Sequence, residues 1–252
     1  MKLVKGLSVL AALVLMASAA HAQVTLFEET VPGGSMSRVW VPGFNTFRTM
    51  LPLTLDPSDP AYANPSGDHT VGMLSNTVAD SGGLALSCTD PGGHADYIWE
   101  ADIFTGAGNS RRGLVIRANP ANNFTSCYQF VVQSGLFQIN FRRLNNQTPT
   151  TLGTWFATSL PAGSLPQNTW HRMKVVASAN AFRCYIDGYE LTQGTPIIDD
   201  PSVALLTGWV GTYNFRFDIA NIPVYFDGLK LSVDSAVPTS TTSWGRIKSL
   251  YR

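Results

Sequence analysis

Beyond residue 83 the chain alternates hydrophobic and polar positions in short, closely spaced runs. In 97–104, Tyr97, Trp99, Ala101 and Ile103 fall on one face, and Ile98, Glu100, Asp102 and Phe104 on the other. Such period-two patterning marks a strand with one face buried. The same signal predicts strands over 84–88, 112–118, 126–133, 136–143, 151–158, 169–177, 181–187, 206–212, 215–219 and 224–233. The pair 169–177 and 181–187 is the clearest. It turns at Ser178-Ala179-Asn180 and sets Phe182, Cys184 and Ile186 against Arg183, Tyr185 and Asp187. Asp187-Gly188 and Ser134-Gly135 are hairpin signals, and Gly228 suits a bulge. Upstream, 24–29 opens the domain as a strand. The stretch 30–83 reads as Gly- and Pro-rich loops with one or two short strands and a candidate binding loop at 64–69.

No 3.6-residue period is sustained outside the N-terminal segment, so the expected fold is all-β, a jelly-roll β-sandwich of two antiparallel sheets. Alternation assigns a core of Tyr97, Trp99, Leu114, Ile116, Tyr128, Phe130, Phe137, Ile139, Phe141, Trp170, Phe182, Ile186, Val224 and Phe226. The remainder of the chain is read as flanks. Residues 1–22 have the form of a secretory signal peptide: Lys2 and Lys5, an apolar run, then Ala20-His21-Ala22 as an A-x-A cleavage site. The uncharged run 6–20 is shorter than the ~18–20 residues of a spanning helix. The expected product is a secreted, periplasmic or cell-surface domain over 23–233 with no membrane span after cleavage. Residues 234–243 form a Ser/Thr/Pro linker. Residues 244–252, WGRIKSLYR, form a basic aromatic tail, either a sorting tag or a frayed end that packs Trp244.

Composition narrows the partners. Hydrophobic residues make up 44% of the 252, enough for a core, and charged residues only 13%. The formal charge is zero, so neither nucleic acid nor an anionic membrane is favoured. Cys88, Cys127 and Cys184 show no CxxC spacing; they are isolated core residues, or two of them pair after export.

Seven segments carry a family resemblance: DYIWEADI at 96–103, RGLVIR at 112–117, CYQFVV at 127–132, TWHRMKVV at 169–176, RCYIDG at 183–188, GWVGTY at 208–213 and YFDGLKL at 225–231. In order and spacing they resemble the concanavalin A-like lectin/glucanase superfamily. They are most similar to exported bacterial laminin G-like or 3-keto-disaccharide hydrolase-like domains. The resemblance implies two curved sheets with a concave, sugar-binding face. The terminal tail resembles short W-G-x-[IV]-K tails on exported bacterial proteins.

The candidate chemistry follows. Glu100 and Asp102, at i and i+2 of one strand, project to one face, as a glycosidase carboxylate pair would. Glycosidases of the resembled fold carry E-x-D-x-x-E, but here Thr105 stands at the last position. Arg117, Gln129, Gln133, Gln138, Asn140 and Arg142 extend polar faces on neighbouring strands. Planar amides and guanidinium match vicinal hydroxyls, and Trp155, Tyr185, Trp209 or Tyr213 would supply an aromatic platform. The ligand-binding set is therefore Glu100, Asp102, Arg117, Gln129, Gln133, Arg142 and Tyr213, with Glu100 and Asp102 the catalytic candidates. His69, His94 and His171 have no G-x-S-x-G nucleophile to serve, and His171 reads as structural. Calcium is the candidate metal, by the resemblance, with Asn64, Asp68, Asp90, Asp96, Asp218 and Asp227 as oxygen donors; no D-x-D-x-D-G loop accompanies them. Three functions fit: a non-catalytic carbohydrate- or glycan-binding module, a hydrolase of glycosides or keto-disaccharides, and a structural or adhesive surface module.

Overall fold

The computed structural model describes residues 22–29, 31, 34–77, 82–104, 106, 109–133, 137–217 and 223–235. Residues 1–21 of the signal predicted over 1–22, Thr105, the Ser134-Gly135 turn, Asp218, Ile219, and residues 236–252 of the linker and tail lie outside them.

The N-terminal strands are β1 (Ala22–Glu29), β2 (Val41–Pro42), β3 (Leu51–Thr54), β4 (Thr70–Leu74) and β5 (Leu84–Thr89). The central ones are β6 (Tyr97–Phe104), β7 (Ser110–Ala118), β8 (Cys127–Gln133), β9 (Gln138–Asn145) and β10 (Thr148–Phe156). Then come β11 (Trp170–Ser178), β12 (Ala181–Ile186), β13 (Tyr189–Glu190), β14 (Ile197–Ile198), β15 (Trp209–Arg216) and β16 (Val224–Ser235). A nine-stranded sheet runs β13-β12-β11-β6-β16-β4-β3, with β1 on β16 and β14 on β12. A seven-stranded sheet runs β10-β9-β8-β7-β15-β5-β2. Pairing along both paths is antiparallel. The expected all-β, two-sheet architecture is what forms.

The alternating residues decide where the core sits. Trp99, Ile103, Phe182 and Phe226 of one sheet meet Leu114, Tyr128, Phe130 and Phe141 of the other, all fully buried. Each such side chain stabilises the fold by roughly 1.5–3 kcal/mol. The Trp99 indole N–H donates to Gly211 O at 3.0 Å and ties the layers together. At Asp187-Gly188 both residues have positive φ, 49° and 81°, the backbone a tight hairpin requires. At Asp227/Lys230 the β16–β6 register slips, and Gly228 sits in the bulge with φ 51°.

Several expectations change. The segment 30–83 holds three short strands rather than one or two. The strands expected at 206–212 and 215–219 are one strand, β15, because pairing with β5 continues unbroken from Val210 to Phe215. Trp170 is not core: β11 buries His171, Met173, Val175 and Ala177, so its alternation turns Trp170 outward onto Phe104. Phe137 is 53% exposed, because it lies in the turn before β9, where strand alternation has not begun. All three thiols are free and buried, with Cys184 in the main core and Cys88 and Cys127 in a smaller cluster.

The W-H-R and I-D-G segments lock each other. Asp187 accepts from the Arg172 backbone N–H at 2.8 Å and faces His171 Nδ1 at 2.7 Å, while His171 Nε2 faces Pro166 O at 3.1 Å. Burial alone would lower the imidazole pKa. The Asp187 and Pro166 acceptors outweigh it and raise the value above 6.5. A raised folded-state pKa adds stability that is complete below the unfolded value and lost as pH rises through the folded one. Thermal melts should therefore show stability falling as pH climbs above about 6.5. In His171→Asn this portion of the slope should be absent; an unchanged slope would refute the ion pair.

Candidate functional site

The outer face of the seven-stranded sheet collects residues from four neighbouring strands. Its rows follow from register. Arg142 pairs with Gln129, Gln129 with Val115, and Val115 with Gly211. One row on, Asn140 meets Val131, Val131 meets Gly113, and Gly113 meets Tyr213. In the third, Gln138 meets Gln133, Gln133 meets Arg111, and Arg111 meets Phe215. Gly113 is required here: a Cβ would lie 2.0 Å from Phe130 O.

The side chains on these rows hold one another. Arg142 Nε and Nη2 donate to Gln129 Oε1 at 2.8 and 2.5 Å, and Nη2 also donates to the Tyr213 hydroxyl at 3.1 Å. Arg111 Nε donates to Gln133 Oε1 at 2.8 Å, and its guanidinium lies 4.9 Å from the Phe217 ring centroid. Burial, then the neighbouring Arg142 charge, pulls the Arg111 pKa down. Burial raises the Tyr213 phenol despite the two cations near it. A pocket of about 180 Å³ opens over this face, lined by Arg111, Arg142 and Tyr213 on one side and by Phe44, Leu84 and Leu144 among its apolar walls.

A loop anchors beside it. Gly43 N donates to Leu86 O, Phe44 N to Asn123 O and Met50 N to Ser87 Oγ. Between these anchors Phe47 stands 91% exposed, three residues from the pocket-lining Phe44. An aromatic ring held open to water on an anchored loop is available for contact with a ligand.

Gln129, Gln133, Arg142 and Tyr213 are thus brought together, with Gln138 and Asn140 beside them. Arg117 does not join them. The β7–β15 register slips opposite Trp209–Gly211, Arg117 takes φ 51°, and its side chain swings into the end of the sandwich. There it donates to the carbonyls of Ala95, Leu205 and Ala179, with its guanidinium 5.1 Å from the Phe182 ring centroid. Of the platform candidates only Tyr213 lines the pocket. Trp155 packs against the main core, Trp209 packs on Phe124, and Tyr185 carries Lys174 on the opposite sheet. Arg111, Phe44 and Phe47 were not among the sequence candidates.

Glu100 and Asp102 lie on the outer face of the nine-stranded sheet, away from this group. Arg172 bridges them, with Nη2 3.2 Å from Glu100 Oε1 and Nη1 2.7 Å from Asp102 Oδ2. Burial raises the Asp102 pKa; Arg172 works against it, and Asp227 and Glu100 work with it.

Of the calcium donors, Asn64, Asp68 and Asp227 converge. Asn64 Nδ2 has four oxygens around it: Ser66 Oγ at 2.8 Å, Thr70 O and Asp227 Oδ2 at 3.1 Å, and Asp68 Oδ1 at 3.2 Å. An amide has only two hydrogens to give them. These hard oxygens suit calcium in kind, but Asn64 turns its amide nitrogen toward them while its Oδ1 accepts from His69 N at 3.1 Å. Asp90 caps its own turn at Gly92, and Asp96 accepts from Ala179 N. Among the described residues no group of three or more His, Cys, Asp or Glu converges as a metal site, and no helix is long and apolar enough to cross a membrane.

No family model matches the chain, and no curated protein matches its sequence. Solved structures do match. A Bacillus subtilis protein of unknown function with a galectin-like fold aligns with TM-score 0.52 at 13% identity, over 84% of this chain and 97% of its own. A cellulose induced protein, Cip1, gives 0.52 at 15%, over 81% and 96%. A Bacillus licheniformis β-glucanase gives 0.50 at 9%, over 83% and 98%. At these identities the likeness shows the fold alone, a galectin-like β-sandwich shared with the glucanase.

Proposed function

We propose that this protein is an exported, non-catalytic module that binds carbohydrate on the outer face of its seven-stranded sheet. The observation that carries the reading is the pocket where Arg111, Arg142 and Tyr213 stand over an apolar floor, their polar ends aimed by Gln129 and Gln133. Sugars present hydroxyl edges and C–H faces, and this mixture of planar donors and aromatic walls matches both. The shared fold with a β-glucanase supports the class. Export rests on the basic, apolar and A-x-A order of residues 1–22. Calcium, where present, would be held at Asp68 and Asp227, apart from the sugar.

Glycan-array binding by the full chain, followed by calorimetry on the best saccharide, tests this. Phe47→Ala should weaken binding roughly three- to tenfold, the value of one stacked ring. It should leave the melting temperature unchanged, since the ring is already in water. Glu100→Gln with Asp102→Asn should leave binding intact, because both lie on the other sheet. Release of reducing sugar that vanishes in that double variant would overturn the non-catalytic reading in favour of hydrolysis.

A further inference from the structure

We propose that the saccharide is anionic, its oxyanion (a carboxylate or a sulfate ester) seated between Arg111 and Arg142. This rests on the binding face proposed above and names the chemistry it selects.

Four arginines among the described residues have a carboxylate within ion-pair distance. Arg117 faces Asp96, Arg143 faces Asp199, Arg172 faces Glu100 and Asp102, and Arg183 faces Glu190. Arg111 and Arg142 differ from these four. They line one pocket, and among the described residues no carboxylate lies within ion-pair distance of either. Among the described residues their side-chain hydrogen-bond partners are neutral, Gln133 for Arg111 and Gln129 with Tyr213 for Arg142. Arg142 is 7% exposed, so its charge is held largely out of water.

Two like charges brought together without a counter-ion oppose folding. An arriving oxyanion removes that opposition, so it binds more tightly than a neutral isostere. The neutral partners also leave the right donors open. The amides occupy Nε of both arginines and Nη2 of Arg142, which leaves both terminal nitrogens of Arg111 and Nη1 of Arg142 without an acceptor among the described residues. The terminal pair of Arg111 is a planar fork of the kind that grips carboxylate or sulfate oxygens. The rest of the wall, Phe44, Leu84, Leu144 and Phe215, is apolar and suits the body of a sugar ring. Two cations on a chain of zero net charge are too few to track a nucleic-acid backbone.

The test compares matched ligands by calorimetry on the full chain: oligogalacturonate against its carboxyl-reduced form, and dextran sulfate against dextran. At least one charged ligand should bind about tenfold or more tightly than its neutral match, with affinity falling as salt rises. The pair that shows the difference identifies the oxyanion. Arg111→Met should lose about tenfold or more on the charged ligand only, with a modest fall in melting temperature because the buried Gln133 Oε1 loses its donor. Arg183→Met, on the other sheet, should lose nothing. Equal binding of charged and neutral partners would overturn the anion and leave the carbohydrate reading standing. Charge-selective binding that survives Arg111→Met would overturn this seat for it. No binding of any saccharide, here or on the array, would overturn both. The ligand comparison uses the unaltered protein, so it decides the question even if the variant fails to fold.

Discussion

Arg142→Met should weaken saccharide binding by roughly 10- to 100-fold and lower folding stability by about 2 kcal/mol. Both losses come from one side chain, but for different reasons. Binding falls because Nη1 is an open charged donor at the pocket wall, and hydrogen bonds to charged groups contribute about 1.5–3 kcal/mol. Stability falls because Gln129 is fully buried and depends on Arg142. Its Oε1 accepts both guanidinium hydrogen bonds, and its Nε2 has no partner among the described residues. Remove Arg142 and the whole buried amide is stranded, at a cost of about 1–3 kcal/mol. A second substitution separates the two effects. Gln129→Leu added to Arg142→Met removes the stranded amide, and replacing both partners by apolar groups of similar shape is close to neutral. The double variant should regain most of the lost stability in urea unfolding and none of the lost binding. If binding returned with stability, Arg142 would be holding the site's shape rather than touching the ligand.

How far the sequence could reach this site depended on where alternation held. It held in β6 and β12, whose inner and outer faces were assigned correctly, while in β11 the one residue assigned to the core, Trp170, faces outward. It grouped Gln129, Gln133 and Arg142 because β8 and β9 are regular strands with one fixed register. It failed at the two ends of β7. Ending the predicted strand at Arg112 left out Arg111, although the alternation of Val115 and Gly113 continues to it. At the other end, alternation sends Arg117 outward with Val115, but the slip opposite Trp209–Gly211 turns it inward. A bulge leaves composition unchanged, so only the paired strand reveals it. The separation of Glu100 and Asp102 from the other candidates was hidden for another reason. Period two says that two residues share a face; it does not say which of two sheets the face belongs to. That depends on β6 pairing with β11 and β16, strands that begin 73 and 127 residues after it. Phe44 and Phe47 lie in a stretch without periodicity, where no pattern distinguishes an anchored loop from a loose one.

Asp199→Asn should cost about 3 kcal/mol, the low end of the range for breaking a buried ion pair. For a domain of this size that lowers the melting temperature by roughly 6–12 °C. Asp199 was not a sequence candidate, and its position explains the size of the effect. It follows β14, which belongs to the nine-stranded sheet, yet its carboxylate reaches the other one. Arg143 Nη1 lies 2.5 and 2.7 Å from its two oxygens, and the Tyr128 hydroxyl donates to it at 2.7 Å. Tyr128 in turn accepts from Leu205 N at 3.0 Å, so the same carboxylate fixes the 199–205 segment at the end of the sandwich. Asp199 is 3% exposed, so little water replaces what the substitution removes. An asparagine keeps the size and loses the charge, leaving Arg143 facing a neutral amide. Tyr128→Phe removes one neutral donor and should cost only about 1 kcal/mol. Adding Arg143→Met to Asp199→Asn should cost less than the sum of the two single changes, because the second removes the charge that the first had left unpaired. Additive losses in that cycle would mean the two side chains act separately, and that the bridge does not hold the end of the sandwich closed.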